Sequence, residues 1–429
     1  MIFKNITILN DELKIEKNRC VKIQGNIITD IEDNLESEKG ERVYDGKGKL
    51  LMSGFYNAHG HSPMTLMRGY GENLSLRDWL NKKIFPFEDK LDGEAVYWAT
   101  MLAMAESFKY GIISTSDMYY FCEDMARAVI ESGAKANISR SLTNFTGENP
   151  EDMASFKEAV KFYRDFHNKA DGRLKADMSL HAEYTSNFET AKTLADYAKT
   201  IDTIMHVHVS ETLSEHEQCK ERHGGLTPAA YLEKAGIFDV PAIAAHCVYC
   251  TDEDLEILIQ KGVTAAVNPV SNMKLAGGIC DAADMMKKGV NVAIGTDSVA
   301  SNNSLDFIEE MKVLAIGNKV SLKDPKAISP EQAIRAATFG GAAAQGRHDC
   351  GVLKRGNRAD LIVVDISGAN MHPVHNLVNN LVYSCSGSDI KLTMIDGNVV
   401  YEDGEYCTID IEKVIYQAEC ATDKILERL

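Results

Sequence analysis

The chain has 429 residues, of which 45% are hydrophobic, and a formal net charge of −17 at neutral pH. Its length allows a large buried core, and its acidic balance argues against nucleic acid as a partner. No run approaches the roughly 18 uncharged apolar residues of a membrane span, and the N-terminus lacks the pattern of a signal peptide. The ten cysteines form no regular framework, so we expect a protein of the reducing cytoplasm.

Residues 1–52 have the pattern of short β-strands. Apolar, β-branched runs alternate with turn formers such as Asp11, Gly25 and Gly48. The segment is too short for a large core of its own. We therefore expect its strands to pair with strands from another part of the chain.

Between residues 53 and 350, short β-rich runs alternate with longer helical patterns. Eight such repeats predict a (β/α)8 barrel, a TIM-like α/β fold. The predicted strands are Phe55–His59, Ile112–Asp117, Ala134–Arg140, Lys175–His181, Thr203–Ser210, Ala242–Cys247, Val263–Asn268 and Val290–Thr296. Helical patterns include Glu94–Tyr110, Glu151–His167, Asp252–Lys261 and Leu305–Asn318. An open doubly wound sheet is the alternative, although no GxGxxG or P-loop motif favours it.

The β pattern returns after residue 350, in Ala359–Asp365, Ile390–Ile395 and Val399–Tyr401. Asp-Gly pairs at 396–397 and 403–404 are hairpin signals. We predict one small β-sandwich domain that the barrel interrupts, followed by a C-terminal helix. The predicted divisions are residues 1–52 and 351–410 for the small domain, 53–350 for the barrel and 411–429 for the helix.

His59 and His61 stand at the end of an apolar, aromatic run. Side chains one residue apart on a strand point to the same side, so the two imidazoles can bind one metal ion. A pair of polar residues where a strand meets a loop is the alternative interpretation. The spacing by itself does not choose between them, so further ligands must come from elsewhere in the chain.

The active site of a βα barrel lies at the carboxyl ends of its strands. The other predicted strands end in residues suited to metal binding or proton transfer, namely His181, His208, Glu211, His246 and Asp297. Three or four nitrogen and oxygen ligands with one open position are typical of a catalytic zinc site. His206 shares a face with His208 but lies one pleat deeper, so we expect it behind the ligands or in the core.

A metal ion held at this rim would lower the pKa of a bound water to about 7. Asp297 could bind the ion and accept the proton of the water. Glu211 could protonate the substrate, and His246 could hydrogen-bond the attacking group. The alternative for Glu211 is an exposed loop carboxylate or a capping partner of the next helix.

The motifs resemble those of the aminohydrolase branch of the amidohydrolase superfamily. The matching segments are GFYNAHGH (54–61), HVHVSE (206–211), AAHC (244–247), NPVSNMKL (268–275), GTDSVASNNSLDF (295–307) and GNRADLIVVD (356–365). The resemblance implies one metal ion bound by His59, His61, His208 and Asp297, with His246 and Glu211 assisting. His181 stands where a bridging lysine would serve a second metal, which favours a single ion. Zn²⁺ suits these ligands best, and Fe²⁺, Mn²⁺ or Co²⁺ also suit them.

Within this branch, HSPMTLMRGYGENLSLRDWLNKKIFPFEDKL (61–91) resembles the 5′-methylthioadenosine/S-adenosylhomocysteine deaminases. The resemblance implies that Glu88 holds the ribose hydroxyls and that Trp79 packs near the ligand. It also implies that His181 contacts the purine and Arg140 the ligand tail. A helix-start glutamate paired with Lys82 or Lys90 is the alternative for Glu88, and a core tryptophan is the alternative for Trp79.

The sequence departs from that family where a second arginine is expected. Residues 147–156 contain acids and no arginine, and His181 is followed by AEYTS instead of SPY. Arginine is the natural bidentate partner of a carboxylate. We therefore expect methylthioadenosine or adenosine to be a better substrate than S-adenosylhomocysteine.

The predicted function is hydrolytic deamination at C6 of an adenine nucleoside, so the predicted partner is a small-molecule purine nucleoside. The same chemistry on guanine, 8-oxoguanine, cytosine or a pterin is an alternative, as is hydrolysis of C–Cl or amide bonds. A non-catalytic scaffold is the alternative from another class. We expect no nucleic-acid or membrane partner, and the sequence leaves a homo-oligomer open.

Overall fold

The structure is a computed structural model that describes residues 1–429. Its strands are β1 (Ile2–Leu9), β2 (Ile15–Gln24), β3 (Ile27–Glu32), β4 (Val43–Asp45), β5 (Lys49–Ser53), β6 (Phe55–Gly60), β7 (Ile112–Tyr119), β8 (Lys135–Leu142), β9 (Leu174–Leu180), β10 (Met205–Val209), β11 (Ala242–His246), β12 (Thr264–Val267), β13 (Asn291–Ile294), β14 (Leu361–Asp365), β15 (Ile390–Ile395), β16 (Asn398–Glu402) and β17 (Glu405–Tyr406).

The α-helices are α1 (Leu76–Trp79), α2 (Phe85–Glu88), α3 (Gly93–Lys109), α4 (Cys122–Ser132), α5 (Ala154–Phe166), α6 (Phe188–Ala198), α7 (Leu213–Arg222), α8 (Pro228–Lys234), α9 (Asp252–Lys261), α10 (Pro269–Lys274), α11 (Ala282–Lys288), α12 (Phe307–Leu322), α13 (Pro330–Arg335), α14 (Gly341–Ala344), α15 (Leu377–Tyr383) and α16 (Ile411–Leu426). Short 3₁₀ turns occupy Ser62–Met67, Glu183–Thr185, Ile237–Asp239, Ala369–Met371 and Gly387–Asp389, and π turns occupy Leu80–Ile84 and Ala336–Gly340.

Strands β6 to β13 form one parallel sheet in chain order. The sheet closes because the backbone N–H groups of Thr296 and Asp297 donate to the carbonyl of His59 over 3.1 and 3.0 Å. Helices cover the outside of the strands, so the strand residues are buried on both faces of the sheet. The predicted barrel is confirmed, and the alternative of an open sheet is wrong.

Gly295 allows the last barrel strand to approach the first. A Cβ atom at this position would lie 2.2 Å from Oδ1 of Asn268 and 2.8 Å from Cβ of His59. Any side chain would therefore push β13 and the following Asp297 away from β6.

Helix α9 illustrates how local sequence sets the helix bounds. Thr251 caps its first turn by accepting from the N–H of Asp254, whose carboxylate accepts in return from the N–H of Thr251. The helix ends at Gly262, where φ is +65° and glycine avoids the steric cost of the left-handed conformation. The observed bounds equal the predicted ones.

The remaining strands form a second sheet from both ends of the chain, in the order β17-β16-β15-β14-β5-β1-β2-β3, with β4 beside β1. Strands β5 and β14 pair in antiparallel orientation and so join the two terminal segments. Lys49 lies opposite Asp365 at one end of the pair, and Ser53 lies opposite Leu361 at the other. The sheet encloses its own apolar cluster, which includes Phe3, Ile6, Val21, Ile28, Val363 and Leu392. The predicted small β domain is confirmed.

A buried ion pair connects the barrel to the second sheet. Lys135 on β8 donates to Asp396 over 2.8 Å and to Asp360, which also accepts from the hydroxyl of Tyr56 over 2.6 Å. Burial opposes the charge of Lys135, but the two carboxylates outweigh it and raise the pKa of the lysine. The two parts of the chain therefore share a polar contact at their junction.

Helix α16 packs against α3 on the outside of the barrel. Near its end, Arg428 donates to the carbonyl of Lys90 over 3.0 Å.

The residue bounds predicted for the domains stay a prediction. No helix combines the length and the apolar character that a membrane crossing requires. The ten cysteines form no regular framework, although Cys247 and Cys250 have C-x-x-C spacing. All ten cysteines are unpaired.

Candidate metal centre and active site

His59 and His61 lie at the end of β6 and on the same side of the strand. Their ring centroids are 4.8 Å apart. Both Nε2 atoms face Oδ1 of Asp297, at 3.5 Å for His59 and 3.3 Å for His61. Barrel closure therefore brings together side chains that are more than 230 residues apart in the sequence.

His208 on β10 completes a cluster of three imidazoles. The ligand atoms of His59, His61 and His208 lie within 4.8 Å of one another, and the same limit holds for His59, His246 and Asp297. His208 directs Nδ1 at the carbonyl of His181 over 2.6 Å, and His61 directs Nδ1 at the carbonyl of Met118 over 2.8 Å. Because a carbonyl only accepts, the Nδ1 atoms carry the protons and the Nε2 lone pairs are free for a metal ion.

The donor set fits one divalent metal ion. Nε2 of His59 is buried and has no hydrogen-bond partner, although it faces the centre of the cluster. Burial lowers the pKa of His59 to about 3, so this ring is neutral and offers a lone pair. Neutral imidazoles and one carboxylate are the ligands that Zn²⁺ and similar ions prefer.

His206 lies behind His59, in the layer that the sequence predicted. Its Nε2 atom is 2.9 Å from Nδ1 of His59, and the residue is 2% exposed. This contact leaves Nε2 of His59 directed at the cluster. His206 therefore orients a candidate ligand and is not one itself.

Two serine hydroxyl groups hold the Asp297 carboxylate through hydrogen bonds to its Oδ2 atom. Ser271 and Ser301 donate to Oδ2 over 2.6 and 2.8 Å, which leaves Oδ1 facing the imidazoles. Asp297 and His246 have φ angles of +58° and +74°. Such left-handed backbone costs non-glycine residues about 1–3 kcal/mol and is concentrated at functional sites.

Glu211 is held beside the cluster by the neighbouring Glu215. The Glu215 carboxylate accepts from the backbone N–H groups of Ser210 over 3.0 Å and Glu211 over 2.7 Å. It also forms the capping box of α7 with Thr212. Glu211 itself is 8% exposed, so the alternative of an exposed carboxylate is wrong. The alternative of a capping partner is also wrong, because Glu215 takes that position. Burial and the nearby Asp297 raise the pKa of Glu211 to about 8.

His246 at the end of β11 has a defined tautomer. The side-chain amides of Asn268 and Asn272 donate to Nδ1 over 3.1 and 2.9 Å. The proton of the neutral ring is therefore on Nε2, which lies 3.8 Å from Oε2 of Glu211. His246 can donate a hydrogen bond into the site.

Glu88 and Trp79 line the same pocket as the histidine cluster. Glu88 accepts from the hydroxyl of Tyr119 over 2.6 Å, and burial raises its pKa to about 7. The alternative pairing of Glu88 with a lysine is wrong for Lys82, which pairs with Asp78 over 3.1 Å. Trp79 is 5% exposed, so it belongs to the core and to the pocket wall at once.

Arg140 and His181 line an outer cavity of about 730 Å³. Arg140 donates to Glu158 over 2.7 Å, and His181 lies 3.1 Å from the Thr185 hydroxyl. Burial lowers the pKa of His181 to about 4. His181 also lines the inner pocket, whereas Arg140 does not. Arg140 therefore lies farther from the histidine cluster.

Sequence reasoning missed the residues that orient these groups, which are Asn268, Ser271, Asn272, Ser301, Tyr119 and Glu215. Four of them belong to the polar motifs that follow β12 and β13. Polar residues concentrated after strands of a barrel were the available signal. Their partners could not be assigned because each bond joins separate loops or strands.

A family model described as the amidohydrolase family matches residues 50–400. The chain belongs to the amidohydrolase family. It is 39% identical to the 5-methylthioadenosine/S-adenosylhomocysteine deaminase of Dictyoglomus thermophilum over 428 residues, which cover 100% of this chain and 99% of the relative. It is 40% identical to the 5′-deoxyadenosine deaminase of Methanosarcina acetivorans over 412 residues, covering 96% and 94% of the two chains.

Solved structures of similar fold include an adenosine deaminase from Xanthomonas campestris with bound zinc. It superimposes on this amidohydrolase with a TM-score of 0.93 and 28% sequence identity, covering 99% of this chain and 98% of the other. The similarity extends over the barrel and the second sheet alike.

Proposed function

We propose that this amidohydrolase is a metal-dependent deaminase that releases ammonia from C6 of an adenine nucleoside. Its proposed substrates are 5′-methylthioadenosine and adenosine. The relatives named above carry deaminase names for nucleosides of this kind, and the motif at residues 61–91 supports the same class.

The observation that carries the proposal is one pocket lined both by three of the candidate metal ligands, His61, His208 and Asp297, and by Glu88. The end of the pocket that the candidate metal ligands line is suited to the attack of water on a ring carbon. The carboxylate of Glu88, with one oxygen bonded to Tyr119, has a second oxygen to accept from a hydroxyl. A nucleoside has its reacting ring and its ribose diol at opposite ends, as this arrangement requires.

His59, His61, His208 and Asp297 would hold the metal ion, which we propose to be Zn²⁺. When bound, the ion acidifies a water molecule and so makes a nucleophile available near neutral pH. The neutral imidazole of His59 and the zinc in the similar adenosine deaminase support this choice. Metal analysis of the purified protein distinguishes zinc from iron and manganese.

We assign the proton transfers to Asp297, Glu211 and His246. Asp297 accepts a proton from the attacking water, while its Oδ2 atom stays bonded to two serine hydroxyls. Glu211 gives its proton to N1 of the purine, since its raised pKa keeps the carboxyl protonated near neutral pH. His246 donates from Nε2 to the oxygen that adds to C6. The amino group takes the proton from Asp297 as the C6–N bond breaks, and it leaves as ammonia. The remaining hydroxyl on C6 gives its proton to Glu211, which restores both carboxyl groups and releases the 6-oxo nucleoside.

The other pocket residues would bind the substrate. Glu88 accepts hydrogen bonds from the two ribose hydroxyls, and charge-assisted bonds of this kind are the stronger ones. Trp79 packs against the nucleoside, and neutral His181 hydrogen-bonds the purine. Arg140, which lines the outer cavity, would contact the 5′ substituent.

The proposal is tested by ammonia release from zinc-loaded protein. The panel contains adenosine, 5′-methylthioadenosine, S-adenosylhomocysteine, adenine, guanine, 8-oxoguanine and cytosine. We expect turnover of the nucleosides and none of the free bases. Turnover of free bases alone would contradict the nucleoside assignment, and silence across the panel of a metal-loaded protein would contradict C6 deamination.

A further inference from the structure

The outer cavity continues from the inner pocket. The two share Phe85, Glu88, Tyr120 and His181 in their linings. If Glu88 holds the ribose, as proposed above, the 5′ carbon of the nucleoside faces this cavity. The volume of about 730 Å³ is large enough for a 5′ substituent of many atoms.

Acidic residues outnumber basic ones in the lining of the outer cavity. Its carboxylates are Glu88, Asp89, Glu123, Asp124 and Glu158, and its cationic side chains are Arg140 and Lys161. Both cations already have carboxylate partners. Arg140 pairs with Glu158 over 2.7 Å, and Lys161 pairs with Glu123 and, over 3.3 Å, with Asp165.

Arg140 is held in place by more than Glu158. Its guanidinium donates to the carbonyl of Ser141 over 2.5 Å and lies 4.9 Å from the ring centroid of Tyr120. The arginine side chain is 17% exposed, whereas that of Glu158 is 59% exposed. A ligand carboxylate that approached Arg140 would meet a fixed guanidinium whose Nε–H is already used by Glu158.

We propose that Glu158 is a specificity-determining residue, which occupies Arg140 and so disfavours nucleosides with a carboxylate in the 5′ substituent. The inference rests on the proposed function, since it requires the ribose to lie at Glu88. A neutral thioether substituent leaves the pair of Arg140 and Glu158 intact. A carboxylate must displace Glu158 and remains close to the other acids of the cavity.

The test compares two kinds of substrate in wild type and in Glu158→Gln. The quantity measured is the ratio of kcat/KM for a nucleoside with a carboxylate in its 5′ substituent to kcat/KM for 5′-methylthioadenosine. The carboxylate probes are S-adenosylhomocysteine, whose tail is zwitterionic, and its analogue without the α-amino group, whose tail is anionic, so that the effect of the carboxylate is separated from that of the ammonium. Exposed ion pairs contribute up to about 1 kcal/mol, so we expect the ratio to rise about fivefold for both probes.

Two further variants control the measurement. Glu151→Gln makes the same change of charge just before α5, at an exposed residue outside the cavity lining, and its ratio should equal that of wild type. Adding Arg140→Met to Glu158→Gln should remove the gain, because the freed guanidinium is then absent. Glu158→Ala provides a second way to remove the carboxylate and should raise the ratio in the same direction.

The outcomes separate this inference from the proposed function. An unchanged ratio in Glu158→Gln and Glu158→Ala, with both nucleosides turned over, would overturn the role of Glu158 alone. An equal rise in Glu151→Gln would also overturn it, because the effect would then be general charge. Failure of wild-type protein to deaminate 5′-methylthioadenosine would overturn the proposed function, and this inference with it.

Discussion

The backbone N–H of Asp297 donates to the carbonyl oxygen of His59 over 3.0 Å. The same two residues face each other through their side chains, at 3.5 Å between Nε2 and Oδ1. The contact that closes the barrel between β6 and β13 is therefore part of the candidate metal site. Binding a metal ion and closing the barrel depend on the same backbone.

Removing the metal should lower the thermal stability of the protein. A ligand that binds only the folded chain stabilises it by about 2.7 kcal/mol at a concentration 100 times its Kd. We expect the Tm to fall after chelation and to rise again with added zinc, as measured by differential scanning calorimetry. His61→Ala serves as the control, since its Tm should respond weakly to zinc. A Tm that does not depend on zinc in wild type would contradict a bound ion at the strand junction.

Glu211→Gln should abolish most of the turnover and leave the metal in place. The amide cannot give a proton to N1, and general acid catalysis contributes about 10²–10⁴-fold to rates. The readouts are kcat for ammonia release and metal content of the same sample. Ser214→Ala, an exposed position in the first turn of α7, is the control for local disturbance. Near-normal kcat in Glu211→Gln would exclude the acid role.

Glu88→Ala should weaken the processing of nucleosides by about 10- to 100-fold in kcat/KM. This range corresponds to losing charge-assisted hydrogen bonds of about 1.5–3 kcal/mol to the ribose. Tyr119→Phe removes only the hydroxyl that orients Glu88 and should cost less. Steady-state kinetics with 2′-deoxy and 3′-deoxy substrates provide the check, because these should lose little further activity in Glu88→Ala. An equal additional loss would show that another group holds the diol.

Lys135→Met should destabilise the fold by roughly 3–5 kcal/mol, because it leaves Asp360 buried without its cation. Urea unfolding of metal-loaded protein measures the change. The matched control is Lys192→Met, whose exposed pair with Asp196 should contribute less than about 1 kcal/mol. Similar effects of the two variants would contradict a structural role for the junction between barrel and second sheet.

Glu310→Gln should remove a pH dependence of stability. Glu310 is buried on α12 and accepts from the N–H of Val270 and from Asn302, and burial raises its pKa to about 8. A pKa that is higher in the folded chain means that folding favours the protonated form. The contribution of Glu310 to the free energy of unfolding is therefore complete below the ordinary pKa of 4.5. It is lost as the pH rises through about 8.

The measurement is urea unfolding at several pH values between about 5 and about 8.5. Wild type should lose stability over this range more steeply than Glu310→Gln. The exposed neighbour Glu309 gives the matched control, since Glu309→Gln should keep the wild-type slope. Equal slopes in all three proteins would contradict a buried, protonated Glu310.

Local patterns in the sequence were sufficient for the strands and for several helices. The eight barrel strands differ from their predicted bounds by a few residues at most, and α9 matches its prediction at both ends. Period-2 and period-3.6 patterns, together with caps such as Thr251 and Gly262, act over only a few residues. The extended geometry of the strand also accounts for His59 and His61 pointing to the same side.

The partners of the candidate site residues were decided by tertiary structure alone. Asn272 donates to His246, Tyr119 to Glu88 and Ser271 to Asp297, over separations of 26 to 31 residues. The pairing of Glu158 with Arg140 depends in the same way on how α5 packs beside β8. The sequence by itself therefore determined the elements and the kinds of chemical group at the rim, because these depend on neighbours along the chain. Only the folded barrel decided which atoms meet, since hydrogen bonds and buried charges depend on distances set by closure of the sheet.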